Sequence, residues 1–251
     1  MRERGFTLLE LLAVVAILAA LSAVAIAASS KIYAASSLAV SSNNIRQLAA
    51  GGIAYLADHG NFYWPWREGK PEGDIWWWGF ETRESRSRPE GERDFDPGAG
   101  PLGGYIPKGF RPDPSFALSG RAFKPKFRSG YIGVGYNTLL GGGWNWVDDA
   151  WTPRLNHWQL SDPAKVVVFF TSAQVNTFQR PASSRNPMLE EFYGIDARER
   201  TVHFRHNGRA MVSFASGNAG FLEMDETTRD ARMPSANVGR FAPVGSTRHL
   251  K

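Results

Sequence analysis

From Leu11 to Ser30 the chain carries no charged residue, and almost every position is apolar or small. A helix with no polar face reads as one surrounded by apolar matter, not as one half-buried on a globular core. At about 1.5 Å per residue, roughly 20 helical residues cross a hydrocarbon layer about 30 Å thick. Beyond Ser30 the pattern changes. Ile32, Tyr33, Leu38, Val40, Ile45, Leu48, Ile53, Tyr55 and Leu56 fall near the i, i+3, i+4, i+7 spacing of an amphipathic helix. Asp58-His59-Gly60-Asn61 supplies a stop, because Gly60 can take the left-handed conformation. One helix from about Phe6 to Ala57 is predicted. Gly51-Gly52 weakens its outer half, and close packing against a domain is the expected reason.

The remainder reads as loops and then strands. Residues 61–130 show no regular period but hold two aromatic clusters, Asn61 to Trp66 and Ile75 to Phe80. The charged, Pro- and Gly-rich run from Glu81 to Pro101 reads as a solvated, partly disordered loop. Gly130 to Tyr136 alternates with glycine, and Lys165 to Thr171 is a β-branched and aromatic run suited to a central strand. Thr201 to Phe204 leads through Asn207-Gly208, a strong hairpin signal, into Ala210 to Phe214. A turn at Ser216 to Asn218 then opens Gly220 to Met224, so a three-stranded meander is expected. After Thr227 no pattern remains, and a tail or strap is expected. The order is α+β: a long helix, variable loops, then antiparallel sheet.

Composition narrows the chemistry. The chain has 251 residues, 26 glycines, 15 prolines and no cysteine. The absence of cysteine excludes disulfides, thiolate metal sites and cysteine nucleophiles. A net charge of +5 allows an anionic partner without requiring one.

Two readings of the N-terminus compete on the residues alone. Met1 to Gly5 followed by an apolar run, with Ala25-Ile26-Ala27 as a cleavage site, suits a secretory signal peptide. The run is long for that, however, and Glu10 is an acid near its start. Charged residues in membrane segments are costly and usually functional. Arg4-Gly5-Phe6-Thr7-Leu8-Leu9-Glu10 ahead of a membrane-length helix resembles the processing motif of type IV pilins and type II secretion pseudopilins. That resemblance implies cleavage after Gly5 by a prepilin peptidase, methylation of the new N-terminus at Phe6, and Glu10 guiding assembly. It also implies a pilin-like fold, with the helix packed on an antiparallel sheet. The segment His206 to Gly217 is similar to the His-x9-Asp-Gly segment of a bacterial pseudopilin-like group, with Ser216 where that group has aspartate and Asn218 where histidine often follows. Leu102 to Tyr105 and Asn137 add to this likeness.

Other constellations are weighed on their own terms. His203 and His206 would face opposite sides of a strand, so support of the hairpin outranks a metal site. Asp148-Asp149 and Asp225-Glu226 offer oxygen ligands of the kind Ca²⁺ takes, but the spacing of a calcium loop is absent and solvated acidic turns are the preferred reading. Lys108, Arg111, Arg121, Lys124, Lys126 and Arg128, interleaved with phenylalanines, suit DNA; a loop with its phenylalanines in the core is preferred. Trp76-Trp77-Trp78 cannot all point inward if extended, so a ligand surface there, such as one for polysaccharide, is the alternative function. No phosphate-binding loop, nucleophile elbow or zinc helix occurs, so no enzyme is expected.

The combined expectation is a single-pass subunit of a bacterial inner membrane, its soluble domain in the periplasm, which becomes part of a filament. Residues 1–5 are the leader, 6–30 the membrane and filament-core helix, and 31–60 its amphipathic outer half. Residues 61–226 are the soluble β domain and 227–251 the tail. Its partners would be the prepilin peptidase, other pilin or pseudopilin subunits and an inner-membrane assembly platform.

Overall fold

In the computed structural model, the described residues are 7–106, 123–128, 132–145, 150–195 and 200–242. The architecture is α+β: a long N-terminal helix followed by a mostly antiparallel β region. The chain divides into two units, one ending at Ala39 and one beginning at Val40.

Helix α1 spans Leu8–Asp58. In the first unit every side chain from Leu8 to Ile26 is exposed, all round the helix. This stretch, of mean hydropathy 2.8, is long and apolar enough to cross a membrane. In the second unit α1 buries Ser41, Asn44, Ile45, Leu48, Ala49, Gly52, Tyr55 and Leu56 along one stripe, with Gly51 buried beside it. Their spacing of three and four places them on one face. The two glycines mark where the domain comes closest. A Cβ on Gly51 would lie 2.9 Å from the Tyr105 carbonyl oxygen, and one on Gly52 would lie 2.8 Å from the Trp64 ring. The close packing expected of this pair is what the structure shows. The helix stops where expected: Gly60 takes φ 61° and the Asn61 N–H donates to the Leu56 carbonyl at 2.8 Å.

Strands β1 (Arg67–Lys70), β2 (Gly73–Trp76) and β3 (Gly79–Thr82) form an antiparallel sheet inside the region read as irregular. Short helix α2 (Arg83–Arg86) follows. A seven-stranded sheet forms the body of the second unit. Its members in chain order are β5 (Val134–Asn137), β8 (Val167–Thr171), β11 (Gly194–Ile195), β12 (Val202–His203), β13 (Arg209–Phe214), β14 (Ala219–Asp225) and β15 (Val238–Phe241). Their spatial order is β11-β5-β8-β13-β14-β15-β12. Strands β4 (Phe123–Lys124), β9 (Gln174–Asn176) and β10 (Met188–Glu190) form a third sheet, and β6 (Gly143–Asn145) pairs with β7 (Ala150–Thr152). Every residue of β8 is buried, as a strand covered on both faces requires. Phe169 stacks on Trp64 on the α1 side, while Phe170 meets Phe241 within the cluster of Val202, Phe204, Val212 and Met224.

The expected meander is corrected. Asn207 and Gly208 make the tight turn, with φ of 52° and 76°, and His206 and Arg209 exchange both backbone hydrogen bonds. Beyond that turn β12 leaves β13 and pairs with β15. The segment read as a patternless tail therefore supplies β15, which closes the sheet between β14 and β12.

The charged run from Glu81 to Pro101 exposes many of its side chains but is anchored to the fold rather than loose. Glu81 is fully buried and accepts from Arg93 Nε at 2.6 Å, and Phe95 stacks on Trp78 at 3.8 Å. Arg93 also faces Glu90 at 3.7 Å. Lys124 pairs with Glu90 and lies 3.5 Å from Glu190, which Lys126 approaches at 3.6 Å. Asn176 and Gln174 donate to the same Glu190. Three carboxylates, Glu81, Glu90 and Glu190, thus face three cations, Arg93, Lys124 and Lys126. Glu191 is an extra buried acid beside this balanced set. Burial pushes its carboxyl up to about 8 and neighbouring Glu190 adds to the rise, while the Tyr193 hydroxyl and Lys126 pull the other way.

Two predictions follow from the packing. Gly52→Val drives methyl groups into Trp64 and should cost about 1–3 kcal/mol. Thermal unfolding of the full chain in detergent should show a melting temperature several degrees lower; an unchanged value would mean the seam is loose. Glu191 keeps its proton in the folded chain but loses it near pH 4.5 when unfolded. Stability therefore falls as pH rises from about 4.5 to 8, at about 1.4 kcal/mol per pH unit. Glu191→Gln lacks this loss. Its melting temperature should rise relative to the parent between pH 5 and pH 8.5; a constant difference would refute a protonated Glu191.

Candidate functional site

Gly5 and Phe6 lie outside the described residues, whereas Glu10 stands at the start of α1. The N–H and Oγ1 of Thr7 both donate to Glu10 Oε2, each at 2.9 Å. The Glu10 N–H returns a bond of 3.2 Å to Thr7 Oγ1. This is a reciprocal capping box: a helix start leaves N–H groups without intrahelical partners, and Thr and Glu three apart satisfy them. The spacing Thr7-x-x-Glu10 carries that signal in the sequence. The reading of Glu10 as an intersubunit acid alone passed over Thr7. The carboxylate is exposed and locally held, at the head of a helix with no other charge before Lys31.

The tryptophan surface expected at Trp76, Trp77 and Trp78 is corrected. β2 ends at Trp76 and β3 begins at Gly79, so Trp77 and Trp78 occupy a two-residue turn in which strand alternation no longer applies. Both side chains are buried. Trp77 Nε1 donates to the Tyr193 carbonyl at 2.7 Å, and Trp76 meets Trp66 edge-on while Arg67 lies over its ring. Trp64, Tyr136 and Phe169 stack beside them, and burial raises the Tyr136 hydroxyl well above the usual phenol range. Among the described residues, the tryptophans with large exposed surface are Trp151, 72% exposed, and Trp158, 77% exposed.

The DNA reading of the basic cluster, already the less favoured one, loses its footing, and Phe127 is buried as the preferred reading expects. Lys124 is buried and Lys126 largely so, and both face Glu190 in the balanced set above. Of the three described members only Arg128 is exposed, 3.6 Å from Asp94. A phosphate backbone would have to displace these carboxylates. Lys108, Arg111 and Arg121 lie outside the described residues.

The histidines have separate surroundings. His203 Nδ1 is bonded to Arg205 at 3.2 Å, and His206 packs edge-on against Phe221. Asp225 accepts from the N–H and Oγ1 of Thr227 and so caps the turn at 226–228. Asp148 and Asp149 lie outside the described residues. Among the described residues no three His, Cys, Asp or Glu side chains gather as they would around a metal. His206 and Ser216-Gly217 stand at opposite ends of β13, about 20 Å of strand apart. At the far end the Ser216 hydroxyl and the Asn218 side chain hydrogen-bond each other across the turn, and Gly217 has φ 88°. A neutral Ser–Asn pair thus spans the turn where an Asp–His pair was considered.

A family model described as the prokaryotic N-terminal methylation motif matches residues 1–26. No curated protein and no solved structure matches the chain. The matched residues contain Gly5, Phe6, the Thr7–Glu10 capping box and the exposed apolar stretch of α1 up to Ile26. The motif supports a type IV pilin-like or pseudopilin precursor and points to a structural subunit, and with the apolar helix it fits a membrane-anchored protein. At its N-terminus the chain carries the signal motif of type IV pilins and pseudopilins.

Proposed function

We propose that this chain is a prepilin-like structural subunit of a type IV pilus or a type II secretion pseudopilus. The single observation that carries the reading is the methylation motif ahead of an apolar helix exposed on every side. In this reading Arg2 and Arg4 hold the leader on the cytoplasmic side of the inner membrane, as the positive-inside rule expects. The soluble unit then lies in the periplasm. The prepilin peptidase cuts after Gly5, and Phe6 becomes the methylated first residue. An inner-membrane platform transfers the helix from lipid to a bundle of like helices.

Glu10 has one role before that transfer and another after it. In lipid a lone carboxylate is expensive. The capping box lowers that cost by giving Oε2 two donors from Thr7. In a bundle, the carboxylate can accept the Phe6 ammonium of a neighbouring copy. A buried charge left without a partner would cost several kcal/mol, so register is fixed where the pair forms. The His206–Gly217 likeness adds support only as a pattern. The alternative of a carbohydrate-binding module loses its platform, because Trp77 and Trp78 belong to the core.

Intact mass and N-terminal sequence of the protein from native membranes test the pathway. A chain beginning at N-methylated Phe6 is expected, whereas a start near Ala28 or Ser29 would mean a signal peptide. The two roles of Glu10 separate by mutation. Glu10→Ala should leave cleavage intact and abolish incorporation into filaments. Thr7→Val, which keeps the charge and removes the hydroxyl, should weaken the helix start by about 1 kcal/mol and still permit incorporation. Equal filament yields from Glu10→Ala and the parent would end the assembly role.

A further inference from the structure

The sheet β4-β10-β9 gathers an amine, a carboxyl group and a carboxamide on one face. Lys124 of β4 stands opposite Glu190 of β10, and Glu190 stands opposite Gln174 of β9. Asn176, two residues beyond Gln174, shares that face because strand side chains alternate. Lys124 is buried, and Glu190 and Asn176 are completely so.

The three side chains meet at Glu190 Oε2. Lys124 Nζ lies 3.5 Å from that oxygen, and Asn176 Nδ2 donates to it. The amine and the carboxamide nitrogen also share Gln179 Oε1, at 3.5 and 2.8 Å. The other end of the Asn176 carboxamide is held as firmly. Its Oδ1 accepts the Phe178 N–H at 2.9 Å and the Gln179 N–H at 3.0 Å. Two backbone donors on one carbonyl oxygen polarise the carbon and stand where a tetrahedral intermediate places its negative charge. Glu190 touches both nitrogens and is placed to carry a proton from one to the other. Burial holds the Lys124 ammonium below the usual lysine range, although Glu190 pulls it back. A desolvated lysine yields the neutral amine that attacks carbonyl groups. Gln179 offers a second carboxamide, but that residue is exposed and its oxygen takes Lys124 and Asn176 as donors.

We infer that Lys124 and Asn176 join in an intramolecular amide bond, with Glu190 as catalytic acid and base and the Phe178 and Gln179 N–H groups as oxyanion donors. The Lys124 ammonium first gives a proton to Glu90, its ion-pair partner. The neutral Nζ then attacks Asn176 Cγ. Glu190 takes a proton from the attacking nitrogen and delivers it to Nδ2. The Cγ–Nδ2 bond breaks, ammonia leaves, and the new Nζ–Cγ bond remains. One cation and one carboxylate disappear together, so the net charge of the buried set is unchanged. The product ties β4 to β9 around β10, where the β4–β10 pairing is only two residues long. This bond is independent of the filament reading, which uses the N-terminal helix.

The test is the intact mass of the full chain, purified in detergent, denatured, and compared with the mass expected from the N-terminus found by sequencing. A chain lighter by one ammonia is expected. A digest should yield a branched peptide in which tandem mass spectrometry places the bond between Lys124 and Asn176. Full mass, or loss of ammonia without that branched peptide, would overturn the proposal. Lys124→Arg keeps a cation in place and should show full mass; a persistent loss of ammonia there would exclude Lys124. Glu190→Gln keeps the shape and removes the proton relay, so the cross-link should form at least about a hundredfold more slowly. Formation at the parental rate would remove Glu190 from the chemistry. The parent's own mass and branched peptide decide whether the bond exists even if a variant fails to fold.

Discussion

The second unit depends on how closely α1 approaches Trp64 and β8. Without side chains at Gly51 and Gly52, the helix backbone can lie against Tyr105 and the Trp64 ring. Trp64 can then stack on Tyr136 and Phe169, and Phe169 belongs to the strand that is buried from end to end. The aromatic core follows from that approach. Trp77 packs against Tyr136 and Phe169, and Trp78 continues the stack to Phe95 and Tyr193. Interiors are close-packed, so a helix held further out would leave voids around rings too large to rearrange. Glycine's unfavourable helix propensity, about 1 kcal/mol per residue, is small beside the burial that it permits.

The same helix obeys two solvation rules along its length. Up to Ile26 its whole circumference is apolar and exposed, so its stability must come from a surrounding that is itself apolar: lipid, or other copies of the helix. From Ser41 onward burial follows a stripe, and the spacing of that stripe is the one a globular core selects. A side chain such as Glu10 is affordable in the first part only because local donors already meet one of its oxygens. In the proposed filament reading, the capping box and an intersubunit pair are successive solutions to one desolvation problem.

Where structure is determined locally, the sequence made it legible. The helix and its stop at Gly60, the Asn207-Gly208 turn and the buried run of β8 all rest on residues near one another in the chain. What escaped rests on distant partners. Strands β1 to β3 are four residues each, rich in glycine and charge, and owe their pairing to two tight turns rather than to hydrophobic alternation. The run from Glu81 to Pro101 looked loose because Glu90 meets Lys124 only through the fold, far along the chain. Trp77 and Trp78 looked exposed because alternation was assumed through what is a turn. β15 was missed since Val238–Phe241 gains its meaning from β14 and β12. At the N-terminus Gly5, Phe6 and Glu10 were legible as a motif, while the local hydrogen bonds from Thr7 needed coordinates.

The net charge of +5 shows the same dependence on context. Read as a composition, it allowed an anionic partner without requiring one, and the lysines at 124 and 126 offered such a partner a footing. In the fold those lysines neutralise Glu90 and Glu190, and they tie β4 to β10 and to the segment after α2. Their charge is spent on internal cohesion, which is why neither can be read as nucleic-acid contact. A cation is informative about partners only after its internal carboxylates have been counted.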